Sequence, residues 1–211
     1  MNYLEELKSL ADEKYRLFHS RLVPNIDQII GVRMPDLKAL AKKIAKENPE
    51  DFFRQNTMKT YEEQTLQGLV IGFLPCSIEK KLELLRGFIP QITNWATCDC
   101  CCANLKDTKK YPQEMLSLIQ ECLCSEQEYT LRFAVVMLLD FYINNTYIDE
   151  VLTVLPAVKS DYYYVKMAVA WALSVCYVKY PEKAKAVITA DKLDDFTYKK
   201  TLQKIRESKR T

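Results

Sequence analysis

Apolar residues recur at helical spacing along nearly the whole chain: Leu37, Leu40, Ala41 and Ile44; Leu66, Leu69, Val70 and Phe73; Leu116, Ile119 and Leu123. Positions three and four apart share one face of an α-helix, so each set predicts an amphipathic helix with a buried stripe. Alternating apolar and polar positions, the mark of a half-buried strand, are almost absent. Helix starts are signposted as well. Thr60 with Glu63 and Ser125 with Glu128 have capping-box spacing, and Pro49 and Pro181 stand where a first helical turn tolerates proline. The pattern predicts roughly ten or more short helices. Their connections are short, apart from about ten residues around Val23 to Gly31, so a single domain over residues 1–211 is expected.

The helical segments also repeat. Tyr129, Arg132, Ala134 and Val135 recur as Tyr163, Lys166, Ala168 and Val169, a step of 34 residues. The same step leads from Lys166 to Lys200, and counting back from Tyr129 gives Trp95 and then Tyr61. A period of this length fits stacked helix pairs, each burying its apolar face against its neighbours. Tetratricopeptide repeats share the period, but their small-residue and Trp/Tyr pattern is not legible here. The expected fold is therefore all-α, a HEAT-like helical-repeat solenoid. In such an α-α superhelix the second helix of each pair lines a concave face. Arg132, Lys166 and Lys200 would then form a basic row along one groove.

Composition sharpens this picture. Four glycines where average usage would give roughly 15 leave little material for hairpin turns or phosphate-cradling loops. The net charge of +2 hides an uneven distribution. Residues 159–211 hold 12 Lys and Arg against 6 Asp and Glu, whereas residues 51–158 hold 9 against 14. Any one of these cations is accounted for by helix solvation, but their recurrence at one repeat phase points to a groove that tracks phosphates. The longest apolar run, Phe133 to Leu139, is flanked by Arg132 and Asp140 and falls far short of a membrane span. The acidic N-terminal segment lacks the basic start and apolar core of a signal peptide, so the expectation is a soluble cytoplasmic protein with reduced thiols.

Candidate chemistry is sparse. His19 is the only histidine, which leaves Ser/His and Cys/His nucleophile pairs and poly-His metal sites almost without material. Phosphate-loop, dinucleotide and zinc-protease motifs are absent. Cys98, Cys100, Cys101 and Cys102, with Cys122 and Cys124 later, include one CxxC spacing but lack the second pair of a zinc ribbon. They are expected to pack as small hydrophobes, with no metal and no cofactor. Trp95 and Asp99 are four apart, so an indole and a carboxylate share one helical face. Trp171, the other tryptophan, lies on the helix that carries Lys166. Each of these residues taken alone also has a structural reading, a core indole or a capping aspartate.

In order along the chain, the run from Gly31 to Leu37, Trp95 with Asp99, Arg132 followed by Ala134, and the run from Ala168 to Trp171 resemble the DNA alkylation repair family. The resemblance covers nearly the whole chain and implies a HEAT-like solenoid whose concave basic face binds DNA. It further implies a glycosylase of the 3-methyladenine/7-alkylguanine type, which excises cationic alkylated purines from duplex DNA in base-excision repair. By the same resemblance Trp95, Asp99 and Trp171 are the catalytic-site trio and Arg132 is a DNA backbone contact. Lys166 and Lys200, with Arg33 and Lys38 at the N-terminal end, are the further basic residues expected at DNA. A charged purine is already a good leaving group, so the carboxylate would stabilise the sugar cation and position water, while the indoles hold the cationic nucleotide. The expected protein is a monofunctional, monomeric enzyme. The alternative is a non-catalytic binding module of the same fold for nucleic acid or protein.

Overall fold

A computed structural model of the chain describes residues 3–23, 26 and 28–208. The architecture is all-α and 74% helical. The helices are α1 (Tyr3–Ser9), α2 (Glu13–Leu22), α3 (Met34–Glu47), α4 (Pro49–Gln55), α5 (Tyr61–Phe73), α6 (Ile78–Phe88), α7 (Trp95–Asn104), α8 (Pro112–Leu123), α9 (Glu128–Met137), α10 (Ile148–Ala157), α11 (Tyr163–Lys179), α12 (Pro181–Lys185) and α13 (Asp195–Glu207). The 34-residue step becomes helix starts at Tyr61, Trp95, Glu128, Tyr163 and Asp195. Among the described residues there is no strand, only one isolated antiparallel bridge between Ala11 and Val32. No described helix is long and apolar enough to cross a membrane.

Most of the sequence signposts mark real boundaries. Thr60 and Glu63 form a full capping box at the start of α5, and Pro49 and Pro181 occupy the first turns of α4 and α12. Ser125 is a correction. The N-cap of α9 is Gln127 and carries no side-chain cap bond; Ser125 Oγ instead accepts from the Gln127 N–H at 3.1 Å. Glu128 is drawn off to accept the Tyr164 N–H at 3.2 Å, so a tertiary bond takes the carboxylate that a capping box would use.

The chain forms two compact units, Met1–Met115 and Leu116–Thr211. In the first, α3 packs on α5 and α5 on α7. Leu37, Leu40, Ala41 and Ile44 of α3 meet Leu66, Leu69 and Val70 of α5 in one core, together with Leu7 and Phe52. The long connection before α3 is an extended segment held by a buried carboxylate. Glu62 is fully buried and accepts the N–H groups of Ile30 at 2.8 Å, Gly31 at 2.7 Å and Val32 at 3.2 Å. Gly31 has φ +95°, and a Cβ there would stand 2.6 Å from Arg16 Cβ and 2.7 Å from the Asp12 carbonyl oxygen. Only glycine serves both demands.

In the second unit α11 lies between α9 and α13. Their first turns touch through the ring pairs Tyr129–Tyr164 and Tyr163–Phe196. At the other end Leu139 and Asp140, Trp171 to Lys179, and Lys204 to Ser208 line one cleft. The three helices therefore run in the same direction. α9 is buried on every side from Thr130 to Met137 and passes into a π-helical turn, Leu138–Tyr142.

Two glycines give opposite expectations. Gly31→Ala should lower the unfolding free energy by about 2 kcal/mol or more, through backbone strain and overlap. At Gly87 in α6 an added Cβ meets nothing within 4 Å. Gly87→Ala should therefore stabilise by about 0.5 to 1 kcal/mol, because alanine is the better helix former. Urea unfolding of both variants measures the pair, and an equal sign would reject this account of the segment.

Candidate functional site

α7 is fixed to α5 through a chain of small polar groups. Asn94 caps α7 by accepting the Thr97 N–H at 2.8 Å, and its amide donates to Thr97 Oγ1 at 3.0 Å. Thr97 Oγ1 in turn pairs with Thr65 Oγ1 of α5 at 2.9 Å. Both threonines are buried. A Cβ at Gly68 of α5 would lie 3.1 Å from Cys101 Cβ, so the two helices approach closely there. With Thr97 directed at α5, positions two before and two after it lie about 200° away on the helical wheel. Those positions are Trp95 and Asp99, each half-buried, followed one turn later by exposed Ala103. The indole packs against a small cluster of Val23, Tyr61 and Ala96, which anchors it, while Asp99 is half-buried.

The cysteines of α7 complete its buried side. Cys98, Cys101 and Cys102 are buried and Cys100 is half-buried, all as free thiols. Burial pushes Cys101 and Cys102 upward, and a hydrogen bond between the Cys102 and Cys98 thiols adds to the shift of Cys102. Cys100 is pushed up to about 11, first by burial and then by the adjacent Asp99 charge, while Lys38 opposes the shift. Among the described residues no three His, Cys, Asp or Glu side chains are arranged to hold a metal ion.

Around this ridge, α2 and the start of α3 add further groups. Arg33 is exposed, bonds Asp12 through Nε at 3.0 Å and Nη2 at 2.8 Å, and stands 5.1 Å from the Tyr15 ring centroid. Asp12 is thereby held below the usual carboxylate range, chiefly by the Tyr15 N–H and then by Arg33. His19 is buried, with ring centroids 5.4 Å from Tyr15 and 4.5 Å from Tyr61. Burial lowers its pKa against the opposing pull of Glu62, which favours the neutral imidazole. No sequence motif marks Tyr15 or Glu62. Glu62 nonetheless precedes Leu66 and Leu69 by four and seven residues, so the phase of the apolar stripe already puts this charge on the buried face.

In the second unit Trp171 is 37% exposed and borders a cleft of about 560 Å³. Apolar Leu139, Val175 and Val178 line this cleft with Asp140, Lys179 and Lys204. The three repeat-phased cations differ in their surroundings. Arg132 is only 5% exposed. Its Nη1 donates to the Tyr164 carbonyl at 2.6 Å, and its guanidinium carbon lies 6.0 Å from the Tyr164 ring centroid. It therefore ties α9 to α11, because the all-round burial of α9 leaves the guanidinium no broad solvent face. Lys166 is half-buried, 3.7 Å from Asp161 Oδ1. Lys200 is half-buried and donates to the neutral Gln203 at 2.9 Å. Lys38 is exposed on α3.

A family model described as DNA alkylation repair enzyme matches residues 3–205. No curated protein matches the sequence.

Thiol reactivity tests the environment of α7. Burial pushes the Cys100 thiol up to about 11, which keeps it largely protonated and slow to react at pH 8. Exposed Cys124 should react first with a disulfide reagent in the native protein, Cys76 and Cys100 slowly, and the buried thiols only on unfolding. Rapid native labelling of Cys98 or Cys101 would contradict the packing described for α7.

Proposed function

Because the chain belongs to the DNA alkylation repair enzyme family, we propose that it is a monofunctional glycosylase that removes cationic alkylated purines from duplex DNA. The observation that carries this reading is the ridge of α7, where an anchored indole and a half-exposed carboxylate stand one turn apart. Alkylation of a purine ring nitrogen places a positive charge on the base. When the N-glycosidic bond breaks, its electron pair neutralises the leaving base and the positive charge moves to the sugar. Asp99 is assigned to stabilise that sugar cation and to orient the water that adds to it, the water's proton passing to solvent. The products are a free base and an abasic site. Trp95 and Trp171 are assigned to the cationic nucleotide through their electron-rich faces, worth about 0.5 to 2 kcal/mol each.

Lys166, Lys200, Lys38 and Arg33 are assigned to DNA phosphates. Arg132 supports Lys166 indirectly, by holding the first turn of α11 through the Tyr164 carbonyl. The protein is assigned as a monomer on duplex DNA and needs no cofactor in this scheme.

Asp99→Asn should lower single-turnover base release by about a hundredfold or more while duplex affinity holds or rises, since the carboxylate acts on charge that develops in the transition state. Release of free base from methylated duplex DNA is the assay. Release by Asp99→Asn at the wild-type rate would remove the catalytic assignment. A wild type that binds duplex and releases no base would instead favour a non-catalytic binding module.

The cations separate in a second experiment. Lys166→Ala and Lys200→Ala should each weaken duplex binding and reduce the salt slope by about one, with melting unchanged. Arg132→Ala should also lower stability by about 1 to 3 kcal/mol, because a buried side chain and its bond to the Tyr164 carbonyl are both lost. Salt titrations and thermal melts of the three variants discriminate. A normal melt for Arg132→Ala would contradict its buried role.

A further inference from the structure

Among the described residues, the large exposed hydrophobic side chains fall into two groups. One is Leu10, Leu17, Phe18 and Leu22, in and next to α2; the other is Tyr162, Tyr163 and Trp171, on α11 and its N-cap. The first group is mainly aliphatic, and nothing on that face indicates an occupant. Tyr163 of the second group stands in a row of rings across the first turns of three helices, whose other members, Tyr129, Tyr164 and Phe196, are half-buried. Tyr129 of α9 lies 6.1 Å from Tyr164, Tyr164 lies 5.1 Å from Tyr163, and Tyr163 lies 5.6 Å from Phe196 of α13. Tyr163 meets both of its neighbours edge-on and remains 54% exposed, and Tyr162 beside it is 46% exposed.

We propose that this row is a stacking surface for the unpaired bases of a single DNA strand. Aromatic faces take any base through its π-system, and adjacent cations take the backbone; together these are the two components of sequence-tolerant single-strand binding. Lys166 and Lys200 lie on the same helices, within the first two turns. Four acidic groups of this rim keep their charge, two beside a lysine and two on backbone N–H groups. Glu128 accepts the Tyr164 N–H, Asp194 caps α13 through the Thr197 N–H, Asp195 pairs with Lys199, and Asp161 stands by Lys166. Lys200 bonds to neutral Gln203, a contact that leaves its charge available to a phosphate. Helix N-termini, the positive ends of the helix dipoles, add to the same sign. The choice of DNA rather than RNA rests on the function proposed above; the stacking geometry does not depend on it.

Fluorescence anisotropy with a labelled oligothymidylate, against an oligomer of the same length made of abasic sugar-phosphate units, tests the assignment. The full chain should bind the thymidylate about fivefold or more tightly than the abasic oligomer. Tyr163→Ala and Tyr162→Ala should each remove about fivefold or more of the thymidylate affinity, and Tyr163→Phe should retain it. Both side chains are about half exposed, so melting midpoints should be unchanged in these variants. Equal affinity for the two oligomers, or unchanged thymidylate binding by both alanine variants, would overturn the proposal. Self-association lost in Tyr163→Ala without any thymidylate preference would assign the rim to a second copy instead. Base release from methylated duplex, measured on the same preparations, separates the two ideas. Release without thymidylate preference rejects the stacking surface alone; preference without release rejects the glycosylase reading alone.

Discussion

A single buried carboxylate organises the first unit. Glu62 gives both oxygens to the three successive N–H groups of Ile30, Gly31 and Val32, and so satisfies a stretch of backbone that no helix or sheet ladder serves. A buried charge is tolerated where several donors surround it, and three backbone N–H groups supply that. The pinned segment then carries two further bonds: Gly31 O accepts the Asp12 N–H, and Gln28 O accepts the Tyr61 N–H. Through them α2 and the start of α3 are set against α5, and Arg33 emerges where it reaches both Asp12 and the Tyr15 ring.

Small residues determine the placement of α7 by similar means. The Thr65–Thr97–Asn94 bonds and the close approach at Gly68 define which side of α7 is buried. The ridge with Trp95 and Asp99 is what remains outward. The second unit solves its own problem differently. An arginine inside an all-round buried helix bridges to the next helix, so a residue whose spacing suggests a DNA contact serves first as a packing tie.

The helical architecture was legible because it rests on local information: apolar stripes at 3.6-residue period, the Thr60–Glu63 box, and prolines that fit a first turn. The 34-residue step was legible too, and it reappears as helix starts at Tyr61, Trp95, Glu128, Tyr163 and Asp195. Trp95 and Asp99 share their face as their spacing requires. What stayed hidden depends on partners distant in sequence. Arg132, Lys166 and Lys200 look alike at one repeat phase, yet Arg132 is buried against a carbonyl 32 residues away. Ser125 and Glu128 have capping spacing, but Glu128 is taken by an amide 36 residues on. Lys81 reads as a surface lysine and is buried, with its ammonium on the Gly72 carbonyl and the Asp107 carboxylate.

The most direct test of this account is amide hydrogen exchange at Ile30, Gly31 and Val32 in wild type and Glu62→Gln. Replacing the carboxylate by an amide keeps the shape but leaves one acceptor oxygen and sets an NH2 donor against a backbone N–H, so at least one of the three bonds is lost and the others are weakened. Exchange at these amides should accelerate about tenfold or more, with protection in the α3–α5 core at Ile44 and Leu69 retained. Unchanged protection at the three amides would show that the segment is held by other contacts, and Glu62 would lose its place as the fixed point of the unit.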